Sequence, residues 1–427
     1  MFKTNRGLSA VVWLALAAVA TTVQAQPFGT ELHNTLMPAA GGMGGVSIAR
    51  PQDVVSGING NPATLTQFRG TQFHFGGAWA DVTFKMTQTG NIPTVGPALI
   101  QPFSATSSAP GTPVGNFGVS QDFSAFGLPA VFALGFVTTS GGFADFRDVP
   151  QSNGTNMGST IFNLPASLGV DLTDRWSVGA TASLGIAFFD SPFIRHSGMT
   201  PDYAPRGTFG TNFRLTEATT IGAYYQTEQS YTFDNAVVFD PLFLPFQANV
   251  DVNMELPRNI GFGIANSALL DGRLLLGVDV LYKMWDEAAL FKAVYDNQWV
   301  VQLGSQLSLG AIRLRSGYVW AANPLDSSPD TNVGGVVVPG GLPAVQYTEG
   351  LLAITSRHRI TAGVGVVDVL PGVDFDLMAG GMFRDSEQIG PLTTTSVSSY
   401  WVGAGLTWRF SRGSCCPTGA PNSWAGR

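Results

Sequence analysis

Residues 176–188, WSVGATASLGIAF, alternate between two kinds of side chain with a period of two. Trp176, Val178, Leu184, Ile186 and Phe188 belong to one face, and the intervening residues are small or polar. The same alternation occurs in 312–320 and 400–410, where aromatic residues lie near the segment ends and the opposite faces carry Gly and Arg. Aromatic residues at the ends of an apolar face are typical of strands that cross a membrane.

The spacing of such segments along the chain predicts membrane-crossing strands throughout it. Fourteen strands are predicted, at 71–87, 114–123, 128–140, 160–172, 175–190, 207–215, 219–234, 248–267, 272–286, 298–309, 311–322, 357–369, 372–385 and 396–410. The short connections are 124–127, 173–174, 216–218, 268–271, 310 and 370–371. The long connections are 88–113, 141–159, 191–206, 235–247, 287–297, 323–356 and 386–395. Short and long connections alternate, as they do in an all-β, 14-stranded antiparallel transmembrane barrel with tight turns at one rim.

Residues 1–25 are predicted to be a secretory signal peptide. Lys3 and Arg6 precede an apolar stretch from Leu8 to Ala20, and small residues lead to a cleavage point after Ala25. A retained transmembrane helix is disfavoured because the apolar core is short. Export through a cleaved signal, together with the barrel, predicts the outer membrane of a Gram-negative-type bacterium.

The overall composition excludes several kinds of partner and site. Only 12% of residues are charged and the net charge is −7, which disfavours nucleic acid as a partner. The two cysteines, Cys415 and Cys416, are adjacent, so they cannot build a disulfide framework. No close spacing of His, Cys and Asp predicts a metal ion, and no cofactor is expected.

Residues 26–70 do not follow the strand pattern. They contain a glycine-rich segment, with Gly41, Gly42, Gly44 and Gly45, that predicts a flexible hinge. The apolar residues of the segment argue against a disordered tail. A short N-terminal hatch that folds inside the barrel lumen is therefore expected, ahead of a barrel at 71–410 and a periplasmic tail at 411–427.

Several motifs resemble the FadL family, the outer-membrane transporters of long-chain fatty acids and, in relatives, of aromatic hydrocarbons. The run 60–68, GNPATLTQF, follows the glycine-rich segment and precedes a strand, as in the family's hatch. The runs that resemble its later strands, in the same order, are Leu256-Pro257-Arg258, Leu276-Gly277-Val278-Asp279-Val280, Arg315-Ser316-Gly317-Tyr318 and Arg357-His358-Arg359-Ile360-Thr361.

The resemblance implies a route for hydrophobic ligands: capture on outward loops, passage to the lumen, and lateral exit through a kink in the third strand. It places Asn61, Pro62 and Ala63 of the hatch against that kink. The third strand is predicted at 128–140, where Pro129 lacks a ladder N–H and is expected to interrupt the pairing. One departure is that Phe410, the expected terminal aromatic residue, is followed by further residues.

Two outward loops are candidates for ligand capture. The predicted ligand-binding residues are Phe193, Ile194, Tyr203, Phe239, Leu242, Phe243, Leu244 and Phe246. An apolar loop cluster of this kind marks a binding surface, although the same residues would also pack as a lid beneath neighbouring loops. For a carboxylate ligand the candidate cations are Arg195, Lys283, Arg313 and Arg315. An aromatic hydrocarbon would need none of them, and the sequence leaves that choice open.

Other classes fit the residues less well. Four histidines, none beside a serine in a recognisable motif, do not indicate an enzyme. A general porin for small polar solutes would have a charged lumen and no apolar loop cluster. The expected partners are hydrophobic small molecules, outer-membrane lipids and, during biogenesis, the barrel assembly machinery, and the barrel is expected to be a monomer.

Overall fold

The structure is a computed structural model that describes residues 33–93, 99–190, 199–239, 248–333, 336–338, 340–352 and 357–410. Fourteen antiparallel strands form a closed barrel, because the last strand pairs with the first from Gln72↔Arg409 to Gln88↔Thr393. The strands are β1 Thr71–Gln88, β2 Thr112–Asp122, β3 Ala130–Asp145, β4 Asn156–Asp171, β5 Trp176–Asp190, β6 Thr200–Arg214, β7 Thr219–Gln226, β8 Asn259–Leu269, β9 Leu274–Lys283, β10 Gln298–Leu309, β11 Ile312–Ala321, β12 His358–Leu370, β13 Val373–Ile389 and β14 Thr393–Arg409. The predicted 14-stranded barrel is confirmed.

The alternation of side chains also has the predicted sense. On β5, Trp176 and Leu184 are exposed on the outside of the barrel, whereas Ser177 and Thr181 are buried inside it. The barrel therefore presents its large apolar side chains outward. We call the rim with the short connections and both barrel termini the turn end, and the opposite rim the loop end.

Some strand limits differ from the prediction. The predicted strands 219–234 and 248–267 are each divided, because β7 ends at Gln226 and β8 begins at Asn259. Between them, Gln229–Phe239 and Ala248–Leu256 form a separate hairpin. The Arg206 side chain donates to the carbonyl oxygens of Thr227 and Pro257 where the hairpin leaves the wall, and Pro257 has no N–H with which to continue the ladder.

The connection predicted to be long at 386–395 is a tight one. Here β13 extends to Ile389 and β14 begins at Thr393, so the two strands pair well beyond the predicted limits. The sixth strand likewise begins at Thr200, although the sequence pattern places its start at 207.

Residues 33–70, which we call the hatch, lie inside the barrel. They form two short helices, α1 (Pro38–Gly41) and α2 (Val54–Asn59), and 3-10 turns at His33–Leu36 and Pro62–Gln67. Asp53 caps α2 by accepting a 2.7 Å hydrogen bond from the Ser56 N–H. Because nearly all of these residues are buried against the wall, the hatch blocks the lumen near the turn end.

The loop end is covered by the long connections. These include helix α3 (Gly341–Leu352), the hairpin, and short elements at Ile92–Pro93, Leu99–Ile100, Phe103–Thr106, Pro150–Ser152, Trp285–Glu287, Phe291–Ala293, Asn332–Val333 and Val336–Val337. One more short element, the 3-10 turn Ser124–Phe126, lies at the turn end. Within the described part of the chain, no helix is both long enough and apolar enough to cross a bilayer.

Candidate functional site

A ring of inward-facing glycines in the barrel wall holds the hatch. We call this ring the glycine girdle, and it consists of Gly76, Gly118, Gly135, Gly169, Gly179, Gly210, Gly222, Gly263, Gly277, Gly304, Gly317, Gly363 and Gly405. A Cβ atom at any of them would contact a hatch atom; at Gly304, for example, it would lie 2.6 Å from the Met43 carbonyl oxygen. At all of these positions except Gly135, the wall therefore lies closer to the hatch than a side chain on the wall would comfortably allow.

At seven of the fourteen junctions between neighbouring strands, two members of the girdle face each other directly. The directly paired positions are Gly76↔Gly405, Gly118↔Gly135, Gly169↔Gly179, Gly179↔Gly210, Gly222↔Gly263, Gly277↔Gly304 and Gly304↔Gly317. Among the described strands, β13 alone contributes no glycine to it, and there Met378 stands beside Gly41. The sequence analysis missed this girdle, although one glycine in each of thirteen strands, many of them in cross-strand register, was available as a signal.

Asn61 is one of two anchors of the hatch. Its side-chain amide is fully buried and donates 2.9 Å hydrogen bonds to the carbonyl oxygens of Ile48, within the hatch, and Thr211, on β6. Its side-chain oxygen accepts from the Ala63 N–H at 3.1 Å, and the Ala63 carbonyl accepts from the Ser177 hydroxyl at 3.0 Å. The Asn-Pro-Ala turn is thus hydrogen-bonded to the wall on two strands.

Asp279 on β9 is the second anchor. Its Oδ2 accepts from the backbone N–H groups of Ser47, at 2.6 Å, and Ile48, at 2.9 Å, and the carboxylate is fully buried. Thr361 on β12 adds a neutral contact, with its hydroxyl accepting from the Gly44 N–H at 2.9 Å. Asp279 therefore binds two consecutive N–H groups of the hatch, whereas Thr361 binds one.

The predicted hinge glycines are packed and hydrogen-bonded. Gly44 and Gly45 have φ values of 72° and 89°, in the region that favours glycine, and the N–H of Gly45 donates to the carbonyl of Ala40 at 2.9 Å. Gly41 and Gly42 face Met378 and Gly363 of the wall. In the described structure these glycines permit a sharp turn and a close approach to the wall, and their action as a hinge remains a prediction.

The wall is irregular on β3, but not at the predicted position. Pro129 precedes the strand, and its carbonyl accepts from the Asp171 N–H at 2.8 Å, so the prediction that it interrupts the pairing is wrong. The β2–β3 ladder ends instead at Asn116↔Val137, and the β3–β4 register shifts between Thr138 and Ser140.

Two features accompany this irregularity. On β4, Pro165 interrupts the ladder, since it has no N–H to donate. The hatch side chain at this place is Ile58 of α2, whose Cδ1 lies 3.5 Å from the Cβ position of Gly135. The expected contact by the Asn-Pro-Ala turn is therefore made by α2, because that turn is bonded to β5 and β6.

Above the hatch, the loop end of the lumen is apolar. The buried cluster includes Phe84, Met86, Ile92, Ile100, Phe146, Met157, Ile161, Phe189, Tyr231, Phe233, Met254, Leu256, Trp285, Phe291, Tyr295, Val345, Tyr347, Leu351, Leu352 and Val397. Phe189 and Phe233 stack with ring centroids 5.1 Å apart, which joins the barrel wall to the hairpin. A ligand that entered here would meet an apolar surface, with the loops as its cover.

The predicted ligand-binding residues are only partly within the described structure. Residues Phe193, Ile194, Leu242, Phe243, Leu244 and Phe246 lie outside the described residues, as does the candidate cation Arg195. Phe239 ends the first strand of the hairpin. Tyr203 is 61% exposed and points out of the barrel, whereas its neighbour Ala204 points in. The sequence places Tyr203 in an outward loop, whereas in the structure it lies within β6, which begins at Thr200.

The other predicted cations of the lumen have partners. Arg313 lies 3.7 Å from Asp374, and Arg315 forms a buried ion pair with Asp376 and donates to Gln306 at 2.7 Å. Lys283 is buried, and its ammonium group lies 6.0 Å from the centre of the Trp285 ring. The sequence could not reveal the pairings of Arg313 and Arg315, because each joins residues on different strands.

Helix α3 contributes a buried carboxyl to the cover at the loop end. Glu349 is 1% exposed, and burial together with the nearby Asp326 and Glu387 raises its pKa to about 8. The helix is attached by Tyr347, whose hydroxyl donates to Thr155 at 3.1 Å, and by a short hydrogen bond from the Tyr295 hydroxyl to the Leu352 carbonyl. The cover is therefore held by two buried tyrosines, and it also buries a carboxyl group whose pKa is about 8.

Comparison with known proteins shows which solved structures have a similar fold. No family model matches the chain, and no curated protein matches it. Solved structures do match. A FadL homologue of Pseudomonas aeruginosa has a TM-score of 0.65 at 13% identity, with 91% of this chain and 100% of that chain covered.

Two toluene transporters have the same fold. The P. putida transporter TodX has a TM-score of 0.63 at 15% identity, covering 88% of this chain and 98% of that chain. The Ralstonia pickettii transporter TbuX has a TM-score of 0.58 at 15% identity, with the same two coverages. At these identities the likeness concerns the fold, and at that level the resemblance to the FadL family is confirmed.

Proposed function

We propose that this barrel is an outer-membrane channel for the passive uptake of hydrophobic compounds, of the class that includes long-chain fatty acids. The observation that carries the proposal is an apolar lumen between a covered loop end and a hatch that blocks the turn end. Burying one methylene contributes about 0.8 kcal/mol, so such a lumen retains hydrocarbon and offers little to a sugar or an ion.

The exit proposed for these compounds is lateral, through the wall. Straight passage would require the whole hatch to leave the girdle. Beyond Asn116↔Val137, the described residues of β2 and β3 form no further backbone pairs with each other, and we call this unpaired stretch the seam. The Thr138 hydroxyl bonds to the Gly115 carbonyl at 3.0 Å in place of the ladder there. A ligand leaving by this seam would enter the membrane directly.

The test is equilibrium binding to the barrel in lipid nanodiscs, with oleic acid, an alkylbenzene and a small sugar as ligands. Binding of either apolar ligand, with none of the sugar, is the expected result. Conductance of sugars or ions without apolar binding would mean that the hatch does not block the lumen and that the protein is a porin.

The second candidate function, uptake of aromatic hydrocarbons, is supported by the fold shared with TodX and TbuX, which are described as toluene transporters. Tighter binding of the alkylbenzene than of oleic acid would favour it.

A further inference from the structure

Two positive charges lie close together on the outside of the barrel wall. Of the lysines and arginines on the fourteen described strands, Lys85 on β1 and Arg384 on β13 alone are exposed. Only β14 separates these two strands, so both cations belong to one sector of the wall. Among the described residues neither of them forms an ion pair. The nearby Arg357, by contrast, is paired with Asp385 and Glu387.

The alternation of β1 directs the Lys85 side chain away from the lumen. Its two neighbours, Phe84 and Met86, are both buried in the apolar cluster of the loop end. Because successive side chains of a strand point to opposite faces, Lys85 lies on the outer face of the wall. This is the face that carries Trp79 nearer the middle of the strand, where the wall is apolar.

A β-bulge gives Arg384 the same orientation. The register of β13 against β14 shifts between Met382 and Asp385, which leaves Phe383 and Arg384 together opposite Ser398. In a bulge of this kind, two residues of one strand oppose a single residue of its neighbour. Both bulged residues are exposed, as is expected when they share the outward face with Ser398. The bulge therefore adds a guanidinium group to the outer surface beside an aromatic ring.

The height of these cations follows from the outer face of β14. Its outward side chains are apolar or aromatic from Trp408 to Tyr400, which is a rise of about 27 Å along the strand. At a strand tilt of about 40° this covers about 21 Å, close to the height of an apolar band. Tyr400 therefore marks the edge of the band toward the loop end. Ser398, opposite Arg384, is the next outward position, and Ser396, opposite Lys85, follows it, so both cations lie at the level of lipid headgroups.

The outward residues between the two cations carry hydroxyl groups. Thr83 on β1 pairs with Ser398, and Ser396 is the neighbouring outward position on β14. Arg384 and Lys85 are two strands apart and offset by two positions, so their Cα atoms are about 12 Å apart. We call these five residues the basic patch. The outward carboxylate of Asp81 lies one position nearer the apolar band, where it accepts a hydrogen bond from the Tyr400 hydroxyl.

We propose that the basic patch binds a glycolipid of the outer leaflet that carries two phosphate groups. Lys85 and Arg384 each hold one phosphate, the three hydroxyl side chains contact the sugar, and the acyl chains lie along the apolar band below Tyr400. Charge complementarity favours this occupant, because two cations separated by about 12 Å suit two phosphates, and arginine and lysine both bind phosphate well. The site lies outside the lumen, so the inference goes beyond the proposed uptake function.

The test is native mass spectrometry of the detergent-solubilised barrel with three lipids: bisphosphorylated lipid A, its monophosphoryl form, and phosphatidylglycerol. The wild type should bind lipid A about tenfold more tightly than the monophosphoryl form, as expected for one charge-assisted contact, and should bind phosphatidylglycerol still more weakly. Lys85→Gln and Arg384→Gln should each bind the two forms of lipid A about equally, because one phosphate then has no cation. The double variant should lose at least a hundredfold in affinity for lipid A.

The matched control is Arg258→Gln, which removes an exposed arginine at the loop end that is paired with Glu228 and Glu287. It should bind all three lipids as the wild type does. Unchanged affinity of the double variant for lipid A would overturn the proposal. Equal binding of phosphatidylglycerol and lipid A by the wild type would also overturn it, since it would indicate a general attraction for anionic lipid. Oleic acid binding in nanodiscs, which reports the proposed function separately, should be the same in the double variant, and heat-dependent gel migration checks that each barrel is folded.

Discussion

Replacing Asp279 by Leu should release the hatch and make the barrel leak ions. Asp279 accepts two hydrogen bonds from hatch N–H groups, those of Ser47 at 2.6 Å and Ile48 at 2.9 Å. Hydrogen bonds to charged groups each contribute about 1.5–3 kcal/mol, and the variant would lose both and leave two buried donors without an acceptor. The hatch would then lose about 3–6 kcal/mol of its attachment to the wall, by the same per-bond figure.

A loss of this size would substantially lower the free energy needed to open the hatch locally. It corresponds to a population of the open hatch that is raised by about 10² to 10⁴. The assay is single-channel conductance in planar lipid bilayers. The wild type should be nearly silent and Asp279→Leu should open frequently. Asp279→Asn retains one oxygen able to accept both bonds without the charge, so its opening frequency should be intermediate.

The control is Asp174→Leu, the same substitution at an exposed position in the turn between β4 and β5. It should conduct no more than the wild type. Hydrogen exchange gives a second measurement, since the Ser47 and Ile48 amides should exchange faster in Asp279→Leu. Wild-type conductance combined with unchanged exchange at these two amides would refute the idea that Asp279 holds the hatch in place.

Three further predictions concern the girdle, the cover and the loops. Gly304→Val should displace the hatch, because even a Cβ atom would lie 2.6 Å from the Met43 carbonyl; a raised ion conductance is expected, and a silent channel would contradict it. The attachment of α3 should be strongest at low pH, because the buried Glu349 is then neutral. It should weaken as the pH rises from about 4.3, the pKa of an exposed glutamate, through about 8, the pKa of Glu349 in the closed cover, because ionisation is then easier when the cover is open. Proteolysis of the cover at pH 6 and pH 9 measures this, and Glu349→Gln should remove the difference; equal pH dependence in that variant would assign it to another group. Replacing Phe243 and Phe246 together by Asp should weaken ligand capture by tenfold or more in the nanodisc assay, and an unaltered affinity would show that these residues form only a lid.

The architecture of the barrel was predictable because its signals are local. A period of two in segments such as 176–188 reports which face of a strand is apolar, and connection length reports which rim a turn belongs to. Both can be read from neighbouring residues. The predicted strand limits were wrong where strands continue beyond the apolar band, as at Thr200 and Ile389. There the alternation of side chains no longer distinguishes the face toward the lipid from the face toward the lumen.

The site was less predictable because its contacts join distant parts of the chain. Pro129 has the local character of a ladder interruption, but its position before β3 places it in a turn, and the irregularity lies near Ser140. Tyr203 is an aromatic residue of the kind expected to capture a ligand, but the alternation of β6 directs its side chain to the outside of the barrel.

The sequence by itself determined that the chain forms a barrel whose apolar strand faces point outward, with an N-terminal segment that fills the lumen. It could do so because alternation and connection lengths are properties of neighbouring residues. Only the tertiary structure decided how that segment is held and which lumenal charges lack a partner. Asp279 reaches the hatch across 232 positions of sequence, and Arg315 is paired with an aspartate 61 positions away, whereas Arg359 has no such partner. Pairings of this kind depend on the closure and register of the whole barrel, and no local pattern encodes them.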